Sequence, residues 1–217
     1  VGHISVNYKG KVKCIVIKVH ERDIRMLNYI QNKLHKGRVR YVKNTPYVLW
    51  TVSDQKDLKD IINLLNGHIL IKVDTFCKAC SAFGISFKEG NYKIPPMDPY
   101  LSGLIDTDGS IVFNFPSNRI ECNLELLKTD YSKRLDLSKV VPGATPYMDE
   151  RGRSITTNTY ISWKFQNVSH MLPVYNYFMQ NRLYCDIKFY RISKIPQFMD
   201  IRKFHNAPFN SQEFLAY

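Results

Sequence analysis

Asp98-Pro99-Tyr100-Leu101-Ser102-Gly103-Leu104-Ile105-Asp106-Thr107-Asp108-Gly109-Ser110 decides how the rest of the chain is read. Asp98 suits a helix cap and Pro99 the first helical position. Leu101, Leu104 and Ile105 recur at helical spacing. Gly103 and Thr107, four apart on one face, would let another backbone come close. Asp106 and Asp108 fall at the C-terminal end, where the helix dipole disfavours anions, so the pair needs a reason, and a bound cation is the plainest one.

The nine residues Leu101 to Gly109, Leu-Ser-Gly-Leu-Ile-Asp-Thr-Asp-Gly, resemble the nonapeptide that names the LAGLIDADG family of homing endonucleases and intron maturases. Ser102 and Thr107 are the two departures, each standing where the name has alanine. The resemblance implies a helix paired with a pseudo-symmetric copy of itself, whose final acids bind divalent metal and direct cleavage of double-stranded DNA. The fold expected is α+β: two pseudo-symmetric αββαββα repeats, each with an antiparallel, saddle-shaped sheet backed by helices.

Working outward, residues 2–6 and 12–19 alternate in period two around an Asn7–Gly10 turn. A helix from Ile24 to Leu34 follows, opened by Asp23 and stopped by Gly37. Strands at 38–42 and 47–52 and a helix at 55–65 capped by Asp54 complete the set. A further helix is expected over 69–83, then a polar linker ending in Pro95-Pro96. The same order returns after the nonapeptide: strands at 110–115 and 120–127, a helix from Asp130 to about Lys139, a strand pair at 145–147 and 159–165, and a closing helix at 168–180. The divisions expected are a first repeat at 1–85, a linker at 86–97, a second repeat at 98–204 and a tail at 205–217.

Spacing supports duplication. Asp23 and Asp130, and Gly2 and Gly109, are 107 apart, while Tyr47-Val-Leu-Trp50 matches Tyr160-Ile-Ser-Trp163 at 113, the six extra residues falling in a loop at 148–158. Ile71-Lys72-Val73 and Ile187-Lys188-Phe189 correspond at 116. The first offset sets Val1 opposite Asp108, and whatever would match Tyr100–Thr107 precedes the first residue. The first motif helix is therefore expected to be missing from this sequence, with a valine where the first metal-binding acid would stand, and a valine cannot coordinate a cation.

Thirty-one Lys and Arg against 19 Asp and Glu give a net charge of +12 and favour a polyanionic partner. The 44% hydrophobic content argues against disorder, and no run reaches the length of a membrane span. Five scattered cysteines, an odd number, point away from a disulfide framework. Cys77 and Cys80 have zinc-knuckle spacing without a second pair.

The resemblance makes Asp108 the metal ligand, with Mg2+ the ion suited to a hard carboxylate, waters and phosphate oxygens. It makes Lys72 and Lys188 the basic residues beside the reaction. Asp106 is read as a helix terminator. Base and phosphate contacts are expected from strands and turns: Lys9, Lys11, Lys13, Lys18, Arg38, Arg40 and Lys43 in the first repeat, and Asn114, Asn118, Arg119, Asn123, Arg151 and Arg153 in the second. Two functions stay open. One is a monomeric, single-chain homing endonuclease of an organellar intron, mitochondrial or else chloroplast, acting on double-stranded DNA. The other is a non-cleaving protein of structured RNA, a maturase or a subunit of an organellar ribonucleoprotein, which Val1 favours.

Overall fold

The computed structural model describes residues 2–152 and 159–216. Val1 and Arg153 lie outside the described residues. The chain forms two compact units, Val1–Lys93 with Lys128–Leu135, and Ile94–Leu127 with Asp136–Tyr217. Among the described residues no helix is long and apolar enough to cross a membrane.

The first unit pairs β1 (Gly2–Val6), β2 (Val12–His20), β4 (Tyr47–Val52) and β3 (Arg38–Tyr41) into an antiparallel sheet in the order β1-β2-β4-β3. Three helices accompany it: α1 (Ile24–Leu34), α2 (Gln55–Leu65) and α3 (Val73–Ala82). Alternation puts Ile15, Trp50 and Val52 into a core with Leu27, Leu58, Ile62 and Phe76. The Trp50 indole donates to the Lys36 carbonyl at 3.0 Å, so its one polar atom is satisfied inside. Gly37 makes this possible: its φ is +76°, and a Cβ there would sit 2.7 Å from the Trp50 indole nitrogen. Asp54 caps α2, accepting from the amides of Lys56 and Asp57 at 2.9 and 3.0 Å.

The second unit repeats the plan with α4 (Tyr100–Asp108), β5 (Gly109–Asn114), β6 (Arg119–Leu127), β8 (Thr159–Phe165) and β7 (Tyr147–Gly152), in the sheet order β5-β6-β8-β7. Helices α5 (Met171–Gln180), α6 (Asp186–Ser193), α7 (Ile195–Arg202) and α8 (Gln212–Ala216) complete it. The duplication is visible in the register, since Gly2, Ile17 and Trp50 share one row and Gly109, Leu124 and Trp163 share another. These positions carry the 107 and 113 offsets into three dimensions.

Several expectations need correction. The helix from Asp130 to Lys139 does not form; only a single 3-10 turn, Ser132–Arg134, is helical there. Thr129 and Ser132 exchange side-chain and amide hydrogen bonds at 2.8 and 3.1 Å, and Asp136 takes the Ser138 amide at 2.9 Å, so local side chains outcompete helical bonding. Leu135, Leu137 and Val140 are all buried at spacings that no single helix face supplies. The carbonyls of Asp136 and Val140 receive the amides of Ile94 and Met97 at 3.1 and 2.9 Å. The strand expected at 145–147 is β7, which starts at Tyr147 and runs through residues read as loop. Asp149, Glu150 and Arg151 hide its alternation, as charges on an edge strand do. The helix expected over 69–83 begins at Val73, because Lys72 holds a left-handed backbone with φ 60°.

Candidate nucleic-acid interface

Helix α4 starts one residue later than its sequence predicts: Pro99 occupies the capping position rather than the first helical one, while the Asp98 carboxylate still accepts from the Tyr100 amide at 2.8 Å. Its other end explains the acid pair. The Asp106 carboxylate accepts the backbone amides of Tyr184 and Cys185 at 2.9 and 3.0 Å, at the entrance to α6, where the helix dipole welcomes an anion. Lys188, on α6, returns the favour, donating Nζ to the carbonyls of Ile105 (2.7 Å) and Asp106 (2.9 Å). This exchange anchors the end of α4 to α6. Gly103 faces open space: among the described residues, nothing outside its own helix backbone lies within 4 Å of where a Cβ would stand.

Asp108, by contrast, is exposed, and its Oδ2 accepts from the Thr107 hydroxyl at 3.2 Å. It lines a polar concavity of about 370 Å³ with Ser110, Asn123, Glu125, Arg151, Ser162, Lys164 and Gln166. Among the described residues no group of three or more His, Cys, Asp or Glu side chains is placed to hold a metal ion. Asp108 thus offers a single hard oxygen donor group, which fits an ion that keeps several waters and takes further oxygens from phosphate. Lys72 is exposed and donates Nζ to the Gly2 carbonyl at 2.8 Å.

The open face of the first sheet is basic. Its rows are His3–Val16–Thr51–Arg38 and Lys18–Leu49–Arg40, which place Lys18, Arg38 and Arg40 on one exposed side. Lys18 stands 4.0 Å over the Tyr47 ring. Lys13 sits at the irregularity where the β1–β2 register shifts. Lys9 lies in the Asn7–Gly10 turn and Lys11 directly after it, and Lys43 lies in the turn between β3 and β4. None of the four strands carries Asp or Glu.

The second sheet's open face is mixed. Its strands bear Arg119, Arg151 and Lys164 together with Glu121, Glu125, Asp149 and Glu150. Glu121, only 5% exposed, accepts on Oε1 from Asn114 (2.7 Å) and Arg119 (2.7 Å), and on Oε2 from Asn123 (3.3 Å) and Gln166 (3.2 Å). Burial alone would push its carboxyl up, but hydrogen bonds from Arg119, Asn114 and Asn123 outweigh it and hold the pKa below the ordinary glutamate value. Asp149 accepts from Arg151 (2.6 Å) and Lys164 (3.0 Å), and those bonds likewise lower its pKa. Asn118 adopts φ 44° in the β5–β6 turn, and its carbonyl accepts from Arg202 at 2.9 Å.

Asn114, Arg119 and Asn123 are therefore brought together around Glu121, an acid on the same strand face. Gln166, Lys164 and Asp149 were missed. The signal available was the same-face series Arg119, Glu121, Asn123 along β6. Two basic residues late in the chain turn toward the second sheet: Arg191 donates to the Ile111 carbonyl at 2.6 Å, as Arg202 does to Asn118 at 2.9 Å.

Residues 1–78 match the family described as LAGLIDADG endonuclease. The intron-encoded DNA endonuclease aI3 of Saccharomyces cerevisiae is 25% identical over 131 residues, a match covering 51% of this chain and 32% of that protein. The chain thus spans about a third of that relative's length. Among solved structures, a double mutant of I-SmaMI has a similar fold, with a TM-score of 0.60 at 13% identity over 94% of this chain and 86% of that one. The LAGLIDADG homing endonuclease I-GzeII in complex with its DNA target is similar at a TM-score of 0.57 and 12% identity, over 94% and 85% of the two chains.

Proposed function

This chain belongs to the LAGLIDADG endonuclease family, and on that premise we propose that it binds double-stranded DNA and hydrolyses a phosphodiester in it. The observation that carries the binding is the acid-free open face of the first sheet, where Lys18, Arg38 and Arg40 stand together. A sheet ribbon of this kind fits the major groove, and lysine and arginine neutralise the phosphates beside it. Lys9, Lys11, Lys13 and Lys43 extend the contact along the turns, and Asn114, Asn118, Arg119, Asn123 and Arg151 supply it from the second sheet. We assign Arg153 the same role from its sequence position.

Asp108 is the residue we assign to catalysis, as the ligand of a divalent ion, Mg2+ by the hardness of its donors. When bound, that ion supplies activation of water and stabilisation of the leaving oxygen. Lys188 supports the site by holding the end of α4 in place, and Lys72, its match in the repeat, holds the Gly2 carbonyl at the start of β1. Purified protein with Mg2+ should cut or nick a duplex carrying the intron-insertion site. Asp108→Asn should abolish this while duplex binding, read by gel shift, persists. Cleavage surviving in Asp108→Asn would remove the residue from the reaction. Chelation with EDTA should stop cutting and spare binding.

The similarity to an intron-encoded endonuclease of a yeast supports an organellar intron as the setting, the mitochondrion before the chloroplast. The two-fold repetition within one chain supports action as a monomer. A second reading has one observation in its favour: Val1 holds the sequence position matching Asp108. On that reading the same basic face holds structured RNA through backbone and shape, without cleavage, as a maturase or a ribonucleoprotein subunit. Competition decides between them: structured RNA displacing duplex DNA at lower concentration than duplex itself would favour the RNA reading.

A further inference from the structure

A nearly buried carboxylate on a face that meets a polyanion demands a reason. Glu121 repels phosphate, has been taken out of water, and is too enclosed to reach a base edge itself. Its four side-chain donors come from three places in the sheet: Asn114 at the end of β5, Arg119 and Asn123 on β6, and Gln166 just past β8. A carboxylate can only accept, so it fixes which way each amide points. With their NH2 groups turned to Glu121, Asn123 Oδ1 accepts from Gln166 Nε2 at 3.3 Å and Asn114 Oδ1 from the Ser117 amide at 3.1 Å. Arg119 is held through Nε, which leaves the two terminal nitrogens as its fork.

From this geometry we infer that Glu121 is a positioning residue for sequence recognition: it holds Arg119, Asn123 and Gln166 in one arrangement, so that the second sheet reads base edges, guanine through the Arg119 fork, while the first sheet supplies phosphate contact. The inference rests on the proposed DNA binding. The register supports the division of labour. Glu121 pairs with Val112 as Cys14 pairs with Ser5, so Cys14 holds the matching place in the first sheet and cannot organise donors in this way. Long polar side chains on a strand lose rotamer freedom when they bind. A fixed acceptor at their base removes that loss in advance, and only for a base sequence that matches the held arrangement.

The test is selection of bound sequences from a randomised DNA duplex pool, using the whole chain as wild type, Glu121→Gln, Asn123→Ala and Gln166→Ala, with binding to a random duplex measured alongside. Wild type should give a consensus containing guanine contacts. Glu121→Gln should lose discrimination by about tenfold at a subset of those base pairs. Its affinity for the random duplex should stay level or rise, because a negative charge has gone. A merely structural role would lower both readouts together. Asn123→Ala and Gln166→Ala should lose selectivity at the same positions, and they decide the matter if Glu121→Gln does not fold. An unchanged consensus in the variants that fold, or a parallel loss of specific and random binding, overturns the assignment. Failure of the wild type to bind any duplex overturns the DNA reading beneath it.

Discussion

The two sheets share a topology, a register and a tryptophan at the same node, yet their open faces are built on opposite electrostatic plans. The first has Lys18, Arg38 and Arg40 with no acid on any strand, so its charge projects outward unneutralised. The second ties Arg119 to Glu121, and Arg151 and Lys164 to Asp149, so its field is largely spent within the protein. A duplicated architecture fixes where side chains point, and it leaves each copy free to choose between long-range attraction and short-range geometry. Attraction serves a sequence-blind grip, whereas a satisfied polar network serves discrimination.

The most direct way to break this contrast is to remove the first sheet's charge. A Lys18→Ala/Arg38→Ala/Arg40→Ala triple variant should weaken duplex binding on the order of a hundredfold at physiological salt and flatten the slope of log K against log salt by about three. Fluorescence anisotropy across a salt series reads both. Arg119→Ala with Arg151→Ala should change the slope less, and an equal change in the two variants would erase the distinction.

The glycine pair gives the next effect. A Cβ on Gly109 would sit 2.6 Å from the Ile105 Cα and 2.5 Å from its Cδ1, because α4 turns directly into β5, whereas a Cβ on Gly2 finds nothing nearer than 3.7 Å. Gly109→Ala should cost about 1–3 kcal/mol in denaturant unfolding, and Gly2→Ala no more than about 0.5 kcal/mol. Equal costs would mean that the close approach is not needed.

The smallest effect is in acid. Glu121 and Asp149 have folded-state pKa values below their ordinary ones, so they stabilise the fold above the ordinary carboxylate range, and that contribution fades as pH falls through the lowered values. Melting temperature followed downward from pH 6 should decline below about pH 4.5 and decline less steeply in Glu121→Gln. A parallel decline in both proteins would show that the Glu121 network carries no pH-linked stability.

Much of the fold was legible because its signals are local. Two-residue alternation, Asp54 before α2 and the Asp98-Pro99 helix start each act within a few residues, and the recurring offsets then tied the halves together. The 128–146 segment was not legible. Asp130 begins a stretch that looks like a capped helix, but the Thr129–Ser132 bonds and the burial of Leu135, Leu137 and Val140 settle it otherwise, through partners that periodicity does not show. For the site, Asp106 and Asp108 read as equals in sequence, and only α6 separates them by taking one as its anion and leaving the other in the open.

By itself the sequence determined the α+β class, the duplication, the nonapeptide helix and the basic character of the first sheet, because each depends on residue type and short-range spacing. The tertiary structure decided which polar residues are already committed. Glu121 gathering Asn114, Arg119, Asn123 and Gln166, and Lys188 closing on the end of α4, join positions between two and 83 residues apart. A charge-assisted hydrogen bond depends on distance and direction in space, and most of these distances are set only when strands pair and helices pack.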